Sequence, residues 1–467
     1  EGIDVSEDDG LDWRGSDTGN GYPIGVHGGD PGMTIDKNGT FILTRLGRTP
    51  FVGLYSHYST DRGRTWSAQT TVSTDDLERA ALASDAVKSS VFSGRTYAVW
   101  VTLSQPFPLM FSYTDDGGQD WSAARQVNDP SGRCAGGDVA VGPGGRVYAC
   151  WAGVTSVSPF REIFVGVAAS ADGGDNWDVT GEAFPVNGIT GLLEEKGNIR
   201  VNGLPLIAVD TTNGPRQGWI YIVTGQKDLA PAGSDPDIIL YRSTDGGASW
   251  SPGIRVNQDP LDNGKIQYFP NIHVDRSGAV NVLFYDDRTT TTDSAGVFLA
   301  RSIDGGDTWQ EYEITDHHFK PAAIGGLGQG YQGDVIDLTT TETKMWPEWM
   351  DNSSGMYQVW TAPVDLEGLG FEEPVDRTGE SLLTVYPNPF SQRTTIRYRV
   401  TKPGPVSLTV YDILGYPVSR LVNELKSPGS YEVIFDLAGL GPGQSCFYYC
   451  RFQAGDQAMF RKLIGNR

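Results

Sequence analysis

One eight-residue pattern occurs five times in register and limits this chain to very few folds. Ser59-Thr-Asp61-Arg-Gly63-Arg-Thr-Trp66 returns as Thr114…Asp116…Gly118…Trp121, Ser170…Asp172…Gly174…Trp177, Ser243…Asp245…Gly247…Trp250 and Ser302…Asp304…Gly306…Trp309. The intervals between successive aspartates are 55, 56, 73 and 59 residues. A carboxylate or hydroxyl at a tight turn accepts backbone N–H groups a few residues on. Glycine supplies a positive φ, and tryptophan folds a large apolar ring over the turn. The pattern therefore closes a hairpin, and Asp61, Trp66, Asp116, Trp121, Asp172, Trp177, Asp245, Trp250, Asp304 and Trp309 have structural work rather than catalysis.

Between the boxes runs a looser repeat, with versions beginning near Gly28, Ala80, Gly136, Asn202, Tyr268 and Tyr331. Each reads as an alternating strand, a polar turn and a strand rich in β-branched and aromatic residues. Six such hairpins, five of them followed by an Asp-bearing turn, make six four-stranded units. Units of 50–70 residues arrayed around an axis are the pattern of a β-propeller, which leaves only short strand edges. Glycine (60) and proline (27) are abundant among the 467 residues without a Gly-X-Y period, which suits many short strands and excludes collagen.

The five boxes resemble the Asp-box (BNR) repeats of the sialidase superfamily. That resemblance covers residues 27–370 and implies a six-bladed propeller. It implies less about activity, because such boxes sit away from that family's active site and occur in propellers of other functions.

From Ser381 onward the character changes. This stretch holds ten basic and five acidic side chains, net +5, leaving −27 on the preceding 380 residues. The break predicts a boundary, with residues 371–380 as linker and 381–467 as a small antiparallel immunoglobulin-like β-sandwich. The YPNPF opening, the VYDILG turn and the closing RKL resemble the C-terminal sorting domain of type IX secretion substrates. Cys446-Phe-Tyr-Tyr-Cys450 stands where related tails carry Gly and Val. The resemblance implies an exported protein, released or held at the outer cell surface; a permanent structural or carbohydrate-binding module is the alternative. The fold class expected is thus all-β: six blades and a sandwich, with the acidic residues 1–26 as a segment that closes the propeller.

The acidic body repels phosphate backbones, which argues against nucleic acid as a partner. No stretch approaches the ~20 apolar residues of a membrane helix. Among the four cysteines, Cys134 and Cys150 flank one strand pair and are placed to meet. Cys446 and Cys450, four apart on a strand, are about 13 Å from one another and cannot bridge.

Loops at one end of a propeller carry its chemistry. In this chain they hold Asp30, Asp138, Arg200, Tyr268, Tyr331 and Asp334 before first strands. After second strands come Arg45, Arg48, Trp100, Trp151, Tyr285, Asp286, Asp287, Arg288, Trp346 and Glu348. Arginine forks grip carboxylates, aromatics stack on sugars, and paired carboxylates do acid–base work. The candidate catalytic set is Asp30, Asp138, Arg200, Asp286, Arg288, Tyr331 and Asp334. Each has a plainer role: Asp30, Asp138 and Asp334 as caps on backbone N–H groups, Arg288 as counter-charge to Asp286 and Asp287, Trp100 and Trp151 as packing between blades.

By the sialidase resemblance, Arg200 and Arg288 match two of the family's three arginines, Tyr331 its nucleophile, and Glu194 or Glu195 the paired glutamate. The family's first arginine is missing, since its place is held by Gly29-Asp30-Pro31-Gly32-Met33. Oxygen ligands suited to calcium occur at Asp4, Glu7, Asp8, Asp9 and Asp12, and from Asn257 to Gly264 through Asp259 and Asp262. Neither stretch has EF-hand spacing, and solvated acidic loops are the alternative. His317 and His318 are adjacent rather than at ligand spacing.

Three functions fit these residues. The first is an exported propeller that binds extracellular glycan or a surface protein without standard sialidase turnover. The second is a glycoside hydrolase or lyase acting on acidic polysaccharide. The third is a surface protein that self-associates through its basic C-terminal domain.

Overall fold

The structure, a computed structural model, describes residues 3–7, 13–16, 27–47, 49–129, 132–366, 383–386, 390, 392–412, 417–437, 447–454 and 457–464. Two compact units divide the chain, Glu1–Val364 and Asp365–Arg467. Among the described residues no helix is long and apolar enough to cross a membrane.

The first unit contains six consecutive antiparallel sheets. Their first strands are His27–Ile35, Ala81–Ser84, Cys134–Val141, Leu206–Val209, Gln267–Val274 and Asp337–Thr340. In the first five sheets four strands follow one another in chain order. The sixth runs Asp337–Thr340, Lys344–Asp351, Gln358–Thr361, and Val364–Asp365 pairs with its middle strand. From the first sheet to the sixth, each first strand lies against the first strand of the next sheet. Sheets stacked this way around their first strands have the arrangement of a β-propeller.

Second strands depart from the alternating pattern. Thr96–Val101, Val147–Val154, Ile220–Gln226 and Val280–Asp286 are buried at every position. A neighbouring sheet covers each face, so apolar residues recur without the period of two that a half-wet strand shows.

The five boxes follow the third strands and close them alike. Ser59 Oγ donates to Asp61 (2.8 Å) and accepts the N–H of Gly63 (2.9 Å), while Asp61 accepts the N–H of Thr65 (2.9 Å). The equivalent bonds recur around Asp116, Asp172, Asp245 and Asp304. Gly174 shows why the glycine is needed: its φ is 96°, and a Cβ would meet the Phe111 ring at 2.1 Å.

From the second box onward the tryptophan packs against the preceding sheet. Trp121 donates to Ser56 (2.8 Å), Trp177 sets its ring edge-on to Phe111 at 5.2 Å, and Trp250 lies 5.1 Å from Phe184. Trp309 joins the core shared by Ile238, Leu240 and Phe298. Trp100 and Trp151 are fully buried and also pack between sheets. Burying such side chains stabilises by roughly 1.5–3 kcal/mol each, which makes the boxes interlocks between sheets as well as turns.

One expectation is corrected. Cys134 lies opposite Gly153, and Cys150 opposite Asp138, so the two thiols do not meet and both are free. In the acidic N-terminal segment, Ile3–Val5 pairs with Arg14–Ser16 as a two-stranded sheet, and residues 17–26 lie outside the described residues. Glu7 there accepts from Arg64 of the first box at 2.9 Å. Asp8, Asp9 and Asp12 lie outside the described residues, as do Arg48, Cys446 and the linker 371–380.

In the second unit, Leu383–Tyr386, Arg393–Val400 and Gly429–Asp436 form one sheet. Pro417–Lys426, Gly404–Asp412, Phe447–Ala454 and Gln457–Ile464 form the other. Ile396, Tyr398 and Phe435 of the first and Val406, Leu408, Val410, Phe452 and Leu463 of the second share one core. This antiparallel sandwich also buries the free Cys450.

Candidate functional site

The long interval between the third and fourth boxes builds the site. It contains an extra hairpin, Gly191–Leu193 paired with Ile199–Val201, between the third and fourth sheets. The hairpin is tied down at base and tip. At its base the buried Glu162 accepts from Thr190 Oγ1 (2.5 Å) and from the N–H of Gly203 (2.8 Å). At its tip Lys196, with no exposed surface, reaches the fifth sheet. There it donates to Asp287 (2.5 Å) and to the carbonyls of Thr292 (2.6 Å) and Ser294 (2.8 Å). The N–H of Arg200 then bonds the Gly330 carbonyl at 2.8 Å, ahead of the sixth sheet.

This strap carries Arg200 onto Tyr331, with the guanidinium 4.8 Å from the ring centroid and one nitrogen 3.3 Å from Gln329. Asn202 from the strap hydrogen-bonds the phenol, and the charges of Asp334 and Glu78 act on it. Burial pushes the Tyr331 hydroxyl up to about 12 and the Asp334 and Glu78 charges add to that, while Asn202 and Arg200 oppose it. Phe269 backs the ring at 6.1 Å.

Beside this group the first strands supply a carboxylate cluster. Asp138 accepts the N–H groups of Val139 (3.0 Å) and Ile207 (2.9 Å), so it does cap backbone, and across a sheet boundary. Burial nevertheless raises it to about 6, against those two bonds and the nearby Arg79. Asp337, opposite Glu348 in the register, is raised by burial with Arg79 opposing; Glu348 is raised by burial and by Asp337. Asp337 and Glu348 keep exposed surface, yet the protein packed around them disfavours the charge. Glu78 accepts the N–H of Gly136 at 3.1 Å, which joins the two clusters.

Arg200, Tyr331 and Asp334 thus meet, and Asp138 lies in the adjoining cluster. Asp30 is exposed on the first strand of the first sheet at φ 51°. Asp286 and Arg288 belong elsewhere. Arg288 bonds Asp286 (2.6 Å) and forks onto Glu311 (2.6 and 2.8 Å), and Gln267 donates to Asp286 at 3.2 Å. Burial raises Asp286 and Arg288 opposes this; the two carboxylates hold the Arg288 charge despite its burial. Asp287 is spent on Lys196, so Arg288 neutralises Asp286 and Glu311 instead of both aspartates. Arg45 is buried against His57 (3.2 Å) and Gln69 (2.6 Å).

Glu194 and Glu195 sit exposed on a 3-10 turn at the strap's tip. The glutamate whose charge acts on the tyrosine is Glu78. It is unreadable from the sequence because it precedes the second sheet, some 250 residues from Tyr331. Arg79 was missed for the same reason, whereas Asp337, on the strand just after Tyr331, carries no motif that singles it out. The 73-residue interval was the one available signal for the strap.

In the Asn257–Gly264 loop the oxygens are already engaged. Asp259 accepts from Arg255 (3.0 Å), Asn257 (2.8 Å) and Asn263 (2.8 Å), and Asp262 from Ser234 (2.7 Å). Among the described residues no three His, Cys, Asp or Glu side chains are grouped to hold a metal ion. A cavity of about 490 Å³ lies at the opposite end of the strands, among Lys37, Phe92, Arg95 and Asp115. Arg95 there is spent on a two-point bond to Asp115 (2.8 Å each), and nothing in that cavity joins the Tyr331 group.

Comparison with known proteins gives two family matches. Residues 384–466 match the secretion system C-terminal sorting domain, and residues 57–68 match the BNR/Asp-box repeat. No curated protein matches by sequence. Among solved structures, a Hadza microbial sialidase is 14% identical with a TM-score of 0.44; the alignment covers 72% of this chain and 65% of that one. A PL25 ulvan lyase is 10% identical over 89% of this chain and 96% of its own, TM-score 0.44. An α-L-arabinofuranosidase from Fusarium graminearum is 14% identical over 72% of this chain and 92% of its own, TM-score 0.43. The chain is therefore an all-β protein with an Asp-box repeat and a type IX secretion sorting domain, which directs it to the cell surface or beyond.

Proposed function

We propose that this protein is an exported six-bladed β-propeller, followed by an immunoglobulin-like sorting domain, that binds an extracellular glycan where its first strands begin. The six sheets with first strands side by side support the blade count. The observation that carries the binding reading is the meeting of Arg200 and Asn202 on the strap with Tyr331, Asp334 and Glu78 from other parts of the chain. An aromatic ring flanked by amide, guanidinium and carboxylate groups suits a sugar, with a face to stack on and donors and acceptors around it.

The charge balance narrows the ligand. Among the groups that act on these carboxylates and on Tyr331, Glu78, Asp138, Asp334, Asp337 and Glu348 outnumber Arg79 and Arg200, so the group opposes a sugar carboxylate at its centre and favours an uncharged unit. A second reading, glycoside cleavage, is favoured by the Glu78 charge that acts on Tyr331 and by Asp138, which burial raises to about 6, where an acid catalyst works.

Titration calorimetry of the full chain against neutral oligosaccharides, with fluorogenic glycosides in parallel, tests both. Binding lost in Arg200→Ala without turnover supports the binding reading. Turnover abolished in Tyr331→Phe or Glu78→Gln replaces it with cleavage. Absence of binding and turnover alike overturns both.

A further inference from the structure

Arg133 stands just before the first strand of the third sheet, at the same end as Tyr331. Its guanidinium carbon is 5.0 Å from the ring centroid of Phe107 and 4.1 Å from that of Phe160. The rings come from matching loops, each joining the second and third strands of its sheet, one in the second sheet and one in the third. Both loops read Pro-Phe, and each phenylalanine N–H closes a turn by donating to a carbonyl three residues back, Phe107 to Ser104 (2.8 Å) and Phe160 to Val157 (2.9 Å). Both phenylalanines adopt left-handed backbone, φ 60° and 63°, which bulky residues rarely take. The two loops thus aim equivalent rings at one side chain.

Among the described residues, nothing accepts a hydrogen bond from Arg133. Its Nε is buried and unbonded, and the terminal nitrogens retain solvent access. Other partly buried arginines of the first unit, Arg95, Arg255, Arg288 and Arg301 among them, have found a carboxylate. Aromatic contact stabilises the cation and restricts its hydration to the plane of the fork. In that plane the N–H groups match the paired oxygens of a carboxylate or a sulfate.

We propose that Arg133 is a subsite for an oxyanion, carboxylate or sulfate ester, carried on the bound glycan at a sugar next to the one against Tyr331. The proposal rests on the glycan reading above. It divides recognition in two: the acid-rich group takes an uncharged sugar, and Arg133 reads the charged substituent of a neighbour. Repulsion from the acidic body does not forbid this, since its reach is about 8 Å at physiological salt and the fork acts at contact.

Calorimetry of the full chain with three probes tests it: neutral agaro-oligosaccharides, sulfated carrageenan oligosaccharides and oligogalacturonates. The expected result is that the sulfated or the uronic set binds at least tenfold tighter than the neutral set. Arg133→Gln should remove that difference while changing neutral binding by less than twofold, and Arg133→Lys, which keeps the charge without the planar fork, should restore only part of it. Equal binding of all three sets by the wild type overturns the proposal, as does an Arg133→Gln variant that still prefers the anionic probe.

Should none of the oligosaccharides bind, the glycan reading falls, and the oxyanion site is judged by sulfate alone. A melting temperature raised by sodium sulfate, over sodium chloride of equal ionic strength, more in the wild type than in Arg133→Gln supports it. An equal rise in both overturns it.

Discussion

The amino group of Lys196 and the carboxylate of Asp287 meet at 2.5 Å with neither side chain exposed. Burial lowers the Lys196 pKa, and Asp287 opposes that shift. The pair joins the strap's tip to the fifth sheet, so the positions of Arg200 and Asn202 depend on it. Removing the lysine alone leaves a buried carboxylate without its counter-charge, which costs about 3–5 kcal/mol. Lys196→Met should therefore lower the melting temperature and accelerate amide exchange across residues 191–201. Lys196→Met with Asp287→Leu should recover most of the melting temperature, because a buried ion pair can be replaced by apolar groups at little net cost.

The box tryptophans should matter to stability and not to ligand binding. Trp177→Ala opens space beside Phe111 and between the second and third sheets, and about 3 kcal/mol of unfolding free energy should be lost. Denaturant melts check the stability, and glycan affinity of the folded fraction should stay within twofold of wild type.

Asp138 makes a signed prediction about pH. Its folded pKa of about 6 lies above the ordinary aspartate value. The folded protein therefore holds this proton where the unfolded chain has released it, and stability falls as pH rises from about 4 to 6. Asp138→Asn should flatten that part of the stability curve, measured by denaturant melts at pH 4, 5, 6 and 7.

His317 has the same sign in a higher pH window. It touches Asp316 (2.8 Å) and the buried Asp351 (3.1 Å), and these carboxylates raise its pKa even though burial opposes them. Its stabilisation is complete below the unfolded histidine pKa and is lost as pH rises through the folded value. His317→Gln should cost about 1 kcal/mol at pH 5.5 and close to nothing at pH 9.

Cys134, Cys150 and Cys450 are buried and unpaired. Burial pushes the Cys134 thiol up to about 11 and Cys450 to about 12, and raises Cys150 well above the usual range. Since the thiolate is the reactive species, all three should resist iodoacetamide at pH 8 until the protein is unfolded, as read by peptide mass spectrometry.

The Asp-box turns were legible as a linear pattern because every bond in them spans at most four residues. Ser59, Asp61, Gly63 and Thr65 satisfy one another, and alternation likewise announced the strands of the C-terminal sandwich. The Tyr331 group obeys a different logic. Glu78, Asp138 and Arg200 come from separate turns of the chain and Tyr331 and Asp337 from the entry to the sixth sheet, and no spacing records which of them will face one another. The same holds for the burial that gives Asp138 its proton affinity and for the choice of Glu311 over Asp287 as the partner of Arg288. Local hydrogen bonding and periodicity write themselves into consecutive residues, whereas contact and desolvation between distant segments exist only once the sheets have packed.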